Sequence, residues 1–303
     1  MWDTVRLVRR GGPRPSLSSG GASRARGDTV LAFDLRRLTL NSRLSTLDGM
    51  PPSSAFYQNV YRRNVAAEAE WLQIGAKAKA DSVDLLTSTL SRPVDVLCEM
   101  GCGTGAVLAE CRHRRLARSY IGVDSSKDAL DWIRRSYGES IRLIYHDLDQ
   151  GAPKLDVFAD LVVISHVLEH LNQPEILLAG LRGKCACVMA EAPLENQPVP
   201  RGKAWVRSRL FGQARWDNQA GHVQFFSKAS FRELLVRCGW KIIGERIYLA
   251  YGKHAILYAT RKNGSPPWKS LAPYLLSKLL GHTLASHLLC VHYAVLAVPS
   301  RMP

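Results

Sequence analysis

From residue 56 to 90 the apolar side chains Tyr57, Tyr61, Trp71, Leu72, Ile74, Leu85 and Leu86 recur at helical separations, which predicts a helical cap. Beyond it the rhythm changes. VDVLCEM (94–100) is a short β-branched run, and GAVLAECRHRRLA (105–117) has helical character. SYIGVD (119–124), IRLIYHD (141–147), ADLVVISHV (159–167) and KCACVMAEAP (184–193) read as further strands. SKDALDWIRRSYG and VLEHLNQPEILLAGLRG (167–183) read as the helices between them, the second broken by Pro174. Apolar strands separated by helices imply a mostly parallel sheet covered on both faces. Residues 194–226 interrupt the alternation with Pro, Arg, Trp and Gly. KASFRELLVRCG (228–239) restores a helix, and WKIIGERIYLA with KHAILYATR is expected to close the sheet as an antiparallel hairpin. The expected fold is a Rossmann-like, doubly wound α/β sheet with an N-terminal helical cap and a C-terminal helical extension. Its expected divisions are a basic tail (1–50), the cap (51–93), the sheet domain (94–262) with a lid insertion (194–226), and an apolar extension (263–303).

Composition narrows the class. With 303 residues and 46% hydrophobic content the chain can bury a core without disulfides or metal. No apolar run reaches the roughly 18 uncharged residues of a membrane-spanning helix. The net charge of +15 suits an anionic partner, yet the excess is spread along the chain, which a solvated basic surface explains equally well. Seven scattered cysteines, several inside apolar runs, read as buried thiols of a reducing compartment, and a cytoplasmic location is expected. Residues 1–27 are rich in Arg, Gly and Ser without an apolar h-region, so a disordered tail and an organelle transit peptide both fit. The segment 266–299 is strongly apolar with Lys269 and Lys278, and fits either peripheral membrane contact or packing against the domain or a second subunit.

EMGCGTGAVLAE (99–110) carries most of the chemistry. A strand runs into Gly101-Cys102-Gly103-Thr104-Gly105, and a helix follows at once. Such glycines let a ligand approach the backbone, and the helix N-terminus offers free N–H groups to it. Asp124 ends the next strand, where a carboxylate can take both hydroxyls of a ribose. Up to this point a nicotinamide enzyme fits as well. Three features break the tie. Glu99, two residues before the first glycine, would repel a pyrophosphate but suits an ammonium and a sulfonium. Asp147 ends the third strand, placed to accept from an adenine amine while Leu148 packs on the ring. The fourth strand ends in SHVLEHL (165–171) at the same sheet edge.

The ordered set E-x-G-x-G-x-G, Asp124, Asp147 and HVLEH resembles the class I S-adenosylmethionine-dependent methyltransferases, nearest to the small-molecule branch with the ubiquinone-biosynthesis enzymes. GHVQFFSKASFRELLVRCGWKI (221–242) is similar to that branch too. The resemblance implies S-adenosyl-L-methionine as cofactor. It assigns Glu99, Gly101, Cys102, Gly103 and Gly105 to the methionine part and its loop, Asp124 and Ser125 to the ribose, and Asp147 with Leu148 to the adenine. Ser165 and His166 would face the methyl group and the acceptor.

Methyl transfer from a sulfonium is an in-line displacement whose main demand is orientation. A base is needed only for a hydroxyl or a cationic amine, and His166, His170 and His222 are the candidates. His170 lies one helical turn after His166, a spacing that also resembles a metal pair. No acidic third ligand stands out, Glu169 reads as a helix or supporting residue, and no metal is expected. The acceptor is expected to be a small molecule or glycan methylated at oxygen, with Tyr57 and Tyr61 on one wall and Arg201, Trp205 and Arg209 of the lid on the other. The fourth strand lacks the Asn/Asp-Pro-Pro-aromatic motif for a flipped base, which disfavours DNA amino-methylation. An RNA methyltransferase and a non-catalytic binding protein of the same fold are the alternatives. The oligomeric state is not legible.

Overall fold

The computed structural model describes residues 4–7, 53–212, 221–249, 256, 260 and 268–300. The described residues lie in one compact unit, and residues 9–51 are outside them.

Among the described residues eight strands form one sheet: β1 (Thr4–Leu7), β2 (Val96–Met100), β3 (Ser119–Asp124), β4 (Arg142–Tyr145), β5 (Ala159–Ser165), β6 (Cys185–Pro193), β7 (Trp240–Leu249) and β8 (Val291–Pro299). Their spatial order is β1-β7-β8-β6-β5-β2-β3-β4. The five strands from β6 to β4 run parallel. β8 is inserted antiparallel between β6 and β7, and β1 adds an antiparallel edge. The helices are α1 (Ser53–Thr87), α2 (Ala106–His113), α3 (Lys127–Tyr137), α4 (Pro174–Gly180), α5 (Pro198–Phe211), α6 (Lys228–Arg237) and α7 (Trp268–Leu288). The doubly wound sheet is thus the one the alternation predicts.

Central strands bury both faces, which is why they read as continuous apolar runs. On β5, Val162 and Ile164 enter the core shared with α4 and α6, while Leu161 and Val163 face the core under α1, α2 and α3. α1 bends at Asn64, whose side-chain oxygen accepts from the Ala67 N–H at 3.0 Å and so caps the second half of the helix.

Three expectations need correction. The antiparallel partner of β7 is β8, drawn from the end of the extension expected to be helical; residues 253–261 fall almost wholly outside the described set. A continuous apolar run such as VHYAVLAVP has no periodicity to separate strand from helix. Pro174 does not break a helix but begins α4, where its missing N–H costs nothing, and residues 166–173 form a turn and loop. Within the expected disordered tail, Thr4–Leu7 is a strand paired with β7, and residues 8–50 lie outside the described residues. Of the lid insertion, α5 and residues 221–226 are described and 213–220 are not. Among the described residues no helix is long and apolar enough to cross a membrane.

Candidate functional site

The tips of β2, β3, β4, β5 and β6 meet at one edge of the sheet, and the polar residues singled out in the sequence stand there. Glycines 101, 103 and 105 all have left-handed backbones, with φ of 67°, 51° and 75°. At Gly103 a Cβ would lie 2.5 Å from the Tyr61 hydroxyl, and at Gly101 it would lie 2.5 Å from Val167. Only glycine combines that conformation with that approach. The loop therefore packs under α1 on one side and against the β5 turn on the other.

Glu99 is 3% exposed, and its Oε2 has no hydrogen-bond partner among the described residues. Burial pushes its carboxyl up to about 8, against the pull of Lys79. A buried carboxylate with an open lone pair suits a cationic group. Asp124 Oδ2 accepts from the Gly103 N–H and Oδ1 from the Ser126 N–H, each at 2.8 Å. Burial raises its pKa, and these bonds partly offset the shift. Asp124 is thus a brace of the loop as well as a candidate ligand group, so replacing it would not leave the fold untouched. Ser125 presents its carbonyl to Gln58 of α1 at 3.1 Å. Asp147 caps the turn after β4 by accepting from the Asp149 N–H, and Leu148 is buried. Cys102 is buried in the loop, while the Ser165 hydroxyl donates to Glu191 at 3.1 Å and so faces the sheet interior.

The histidines divide into two groups around Glu169, and not along one helix face as the spacing suggested. His166, itself at φ 57°, stands 3.2 Å from Glu169 and 3.4 Å from Glu191, with His292 of β8 3.3 Å from its Nε2. Burial and Lys79 oppose its charge, but the two carboxylates outweigh them and raise its pKa. Glu191 also accepts from Tyr248 at 2.8 Å and from Ser82 at 3.1 Å. Held between two carboxylates that favour its charged form, His166 suits a positioning role better than that of a base.

His170 and His222 form the other group with Glu169, their rings 4.8 Å apart. His170 Nδ1 lies 3.1 Å from the Gly221 carbonyl, and Nε2 lies 2.9 Å from the Tyr57 hydroxyl. Burial lowers the His170 pKa to about 4, leaving it neutral. His222 Nδ1 is 2.6 Å from Glu195. Glu169 is fully buried, and its pKa falls to about 2 because the histidines around it outweigh the effect of burial. His166 Nδ1 lies 3.2 Å from its Oε1, while Oε2 has no hydrogen-bond partner among the described residues. Sequence reasoning assigned Glu169 only a helix or supporting role, although it directly precedes His170, and had no signal for Glu191, Glu195 and His292.

Tyr57 and Tyr61, 6.3 Å apart between ring centres, span from this group to the glycine loop. Arg201, Trp205 and Arg209 line the exposed side of α5, where Arg209 lies over the Trp205 ring at 5.9 Å. Arg215 and Trp216 lie outside the described residues. All seven cysteines are unpaired, and burial pushes the thiols of Cys98, Cys185, Cys187 and Cys238 up to about 12, far from thiolate chemistry.

A family model described as a methyltransferase domain matches residues 61–245, more than half of the chain. Comparison with curated proteins gives no match. Among solved structures, a SAM-dependent methyltransferase of Thermotoga maritima, titled a possible histamine N-methyltransferase, aligns 81% of this chain with 99% of its own at 12% identity and TM-score 0.50. The plantazolicin methyltransferase BpumL, in complex with SAH, aligns 82% with 94% at 12% identity and TM-score 0.50. A putative methyltransferase bound to the Haloferax volcanii activator Trm112 aligns 78% with 98% at 13% identity and TM-score 0.50. These likenesses establish the fold, and none singles out the ubiquinone-type branch. On the strength of the matched domain, the chain belongs to the methyltransferase-domain family, within the class I S-adenosylmethionine-dependent enzymes.

Proposed function

We propose that this chain transfers a methyl group from S-adenosylmethionine to a hydroxyl of a small-molecule or glycan-type acceptor. The observation that carries the cofactor reading is Glu99: a buried carboxylate with an unpartnered oxygen beside a glycine loop that no Cβ could enter. The bound cofactor supplies a methyl group on a cationic sulfur. Glu99 and the loop of Gly101, Cys102, Gly103 and Gly105 hold its methionine part. Asp124 and Ser125 hold the ribose, Asp147 and Leu148 hold the adenine, and Ser165 supports the wall through Glu191.

The acceptor enters under Tyr57 and Tyr61, with its hydroxyl toward the Glu169–His170–His222 group, which handles the proton. His166 orients Glu169 and closes the pocket floor. Lining the reactants up provides most of the acceleration, and the tyrosines keep water from the reacting atoms. Arg201, Trp205 and Arg209 on α5 bind the acceptor's anionic or sugar portions. Incubating the protein with methyl-labelled cofactor and fractionated extract tests the reading: label should appear in a small, non-nucleic product. Calorimetric binding of NADH in place of S-adenosylhomocysteine would end it. The exposed basic side of α5 favours one second reading, RNA methylation, which predicts micromolar RNA binding that weakens steeply with salt.

A further inference from the structure

We propose that α5 and α7 together dock the protein on an anionic lipid surface, as a peripheral attachment. On α7, Ala272, Leu275, Leu276 and Leu279 fall at i, i+3, i+4 and i+7, which makes one stripe of a helix. All of that stripe is exposed, Leu279 to 85%. Ser277, on the opposite side of the helix, is fully buried, and α7 packs on β7. Beyond the bend at Gly281 the pattern continues, with Leu284 exposed and Ala285 buried. An amphipathic helix normally turns its leucine stripe toward the core, and this one turns it outward.

α5 lies against α7 and is exposed from 201 to 210 except at Ala204. Val206 and Leu210, four residues apart, share one side, and Leu210 is 69% exposed. Lys203 and Arg207, also four apart, border that side. Arg201, Trp205 and Arg209 occupy the next side of the helix, the one given to the acceptor. Isolated exposed apolar residues are ordinary. Val206, Leu210, Leu275, Leu276 and Leu279 instead stand on two touching helices, and such a patch marks an interaction surface.

Charge selects what covers it. No Asp or Glu occurs from 196 to 216 or from 246 to 303, so both helices carry basic residues without a single acid. Leucines bordered only by lysine and arginine suit the headgroup region of a bilayer, where apolar side chains sink and cations meet phosphate. A second copy of this chain, paired about a two-fold axis, would press the same positive surface against itself. RNA would answer the cations and leave the leucines in water. No helix among the described residues is long and apolar enough to cross the membrane, so the attachment is peripheral. The two uses expected of the apolar extension are thus divided between its parts: β8 packs into the sheet, and α7 keeps an outward stripe. Docking depends neither on the cofactor nor on the methyl-transfer reading.

The test sediments the full chain with extruded vesicles of phosphatidylcholine alone, or mixed two to one with phosphatidylglycerol. Binding to the mixed vesicles should be at least about tenfold tighter than to the neutral ones. It should weaken at least about tenfold from about 0.1 M to about 0.5 M NaCl. Leu275→Glu with Leu279→Glu should weaken it at least about 100-fold. Lys203→Ala with Arg207→Ala should weaken it about 25-fold, roughly fivefold per charge. The side chains changed are all exposed, and S-adenosylhomocysteine affinity measured in parallel reports that each variant is folded. The comparison of the two vesicle types uses the wild type and needs no variant. Absent binding, or equal binding to neutral and anionic vesicles, would overturn the proposal. So would full binding by both folded variants. A dimer in sedimentation equilibrium that Leu275→Glu with Leu279→Glu splits, without vesicle binding, would give the patch to a second copy. Micromolar RNA binding that Lys203→Ala with Arg207→Ala abolishes, again without vesicle binding, would give it to RNA.

Discussion

Titrating S-adenosylhomocysteine into the protein from pH 6 to pH 9 tests the assignment of Glu99 directly. In the free protein burial pushes this carboxyl up to about 8, so at neutral pH it is mostly protonated. A ligand ammonium beside it favours the carboxylate, and binding must then expel the proton. Each pH unit below 8 costs about 1.4 kcal/mol. Affinity should fall about tenfold per unit, or ~100-fold between pH 8 and pH 6. Above about pH 8 the ligand's own α-amino group deprotonates and affinity falls again, giving a bell. Calorimetry at pH 7 in two buffers of different ionisation enthalpy should count close to one proton released per ligand bound. Glu99→Gln should flatten the acidic arm and bind more weakly at pH 8. The same group affects the fold. Its folded pKa lies above the ordinary value of 4.5, so its contribution to stability is present below pH 4.5 and lost as pH rises toward 8. Glu99→Gln should therefore melt above wild type at pH 8.5, with the gap closing toward pH 5. A flat affinity profile from pH 6 to 8 without proton release would refute the assignment.

Asp124→Ala should lose ribose contacts and orphan two N–H groups, lowering stability by roughly 2–5 kcal/mol along with cofactor affinity; thermal melts and calorimetry separate the two. Gly103→Ala forces a Cβ toward Tyr61 at a left-handed position, so it should cost about 1–3 kcal/mol and weaken S-adenosylhomocysteine binding. Retained affinity would mean that Tyr61 is free to move away. His222→Ala should lower turnover at least about tenfold with cofactor affinity unchanged, and an unaltered rate would remove the cluster from the chemistry. Replacing Arg201 and Arg209 together with alanine should raise the acceptor KM and leave kcat alone, checked by steady-state kinetics once an acceptor is in hand.

The cofactor half of the site was legible because its constraints are local. A left-handed turn between a strand and a helix needs glycine, and a carboxylate at a strand tip is seen from the strand pattern alone. Asp124 and Asp147 fall at the ends of β3 and β4 wherever those strands start, so small errors in boundaries did no harm. β8 was illegible for the opposite reason. Its nine residues bury both faces, and only pairing with β6 and β7, distant in sequence, makes them a strand.

The histidine group shows how a wrong local reading hides chemistry. Read as helical, this stretch put His166 and His170 one turn apart and gave Glu169 only a helical or supporting role. Pro174 instead marks the first turn of α4, and the preceding residues coil back. The His170 N–H returns to the Val167 carbonyl, and Glu169 is carried into the interior, where its own carbonyl receives the N–H groups of Val223 and Gln224. Those two bonds fix the loop that bears His222, more than fifty residues on, against Glu169. The acid at the centre of the group was therefore already present in the sequence between the two histidines. The backbone of that same residue brings in the third side chain, so a change that shifts the 166–173 turn should disturb His222 as much as His170.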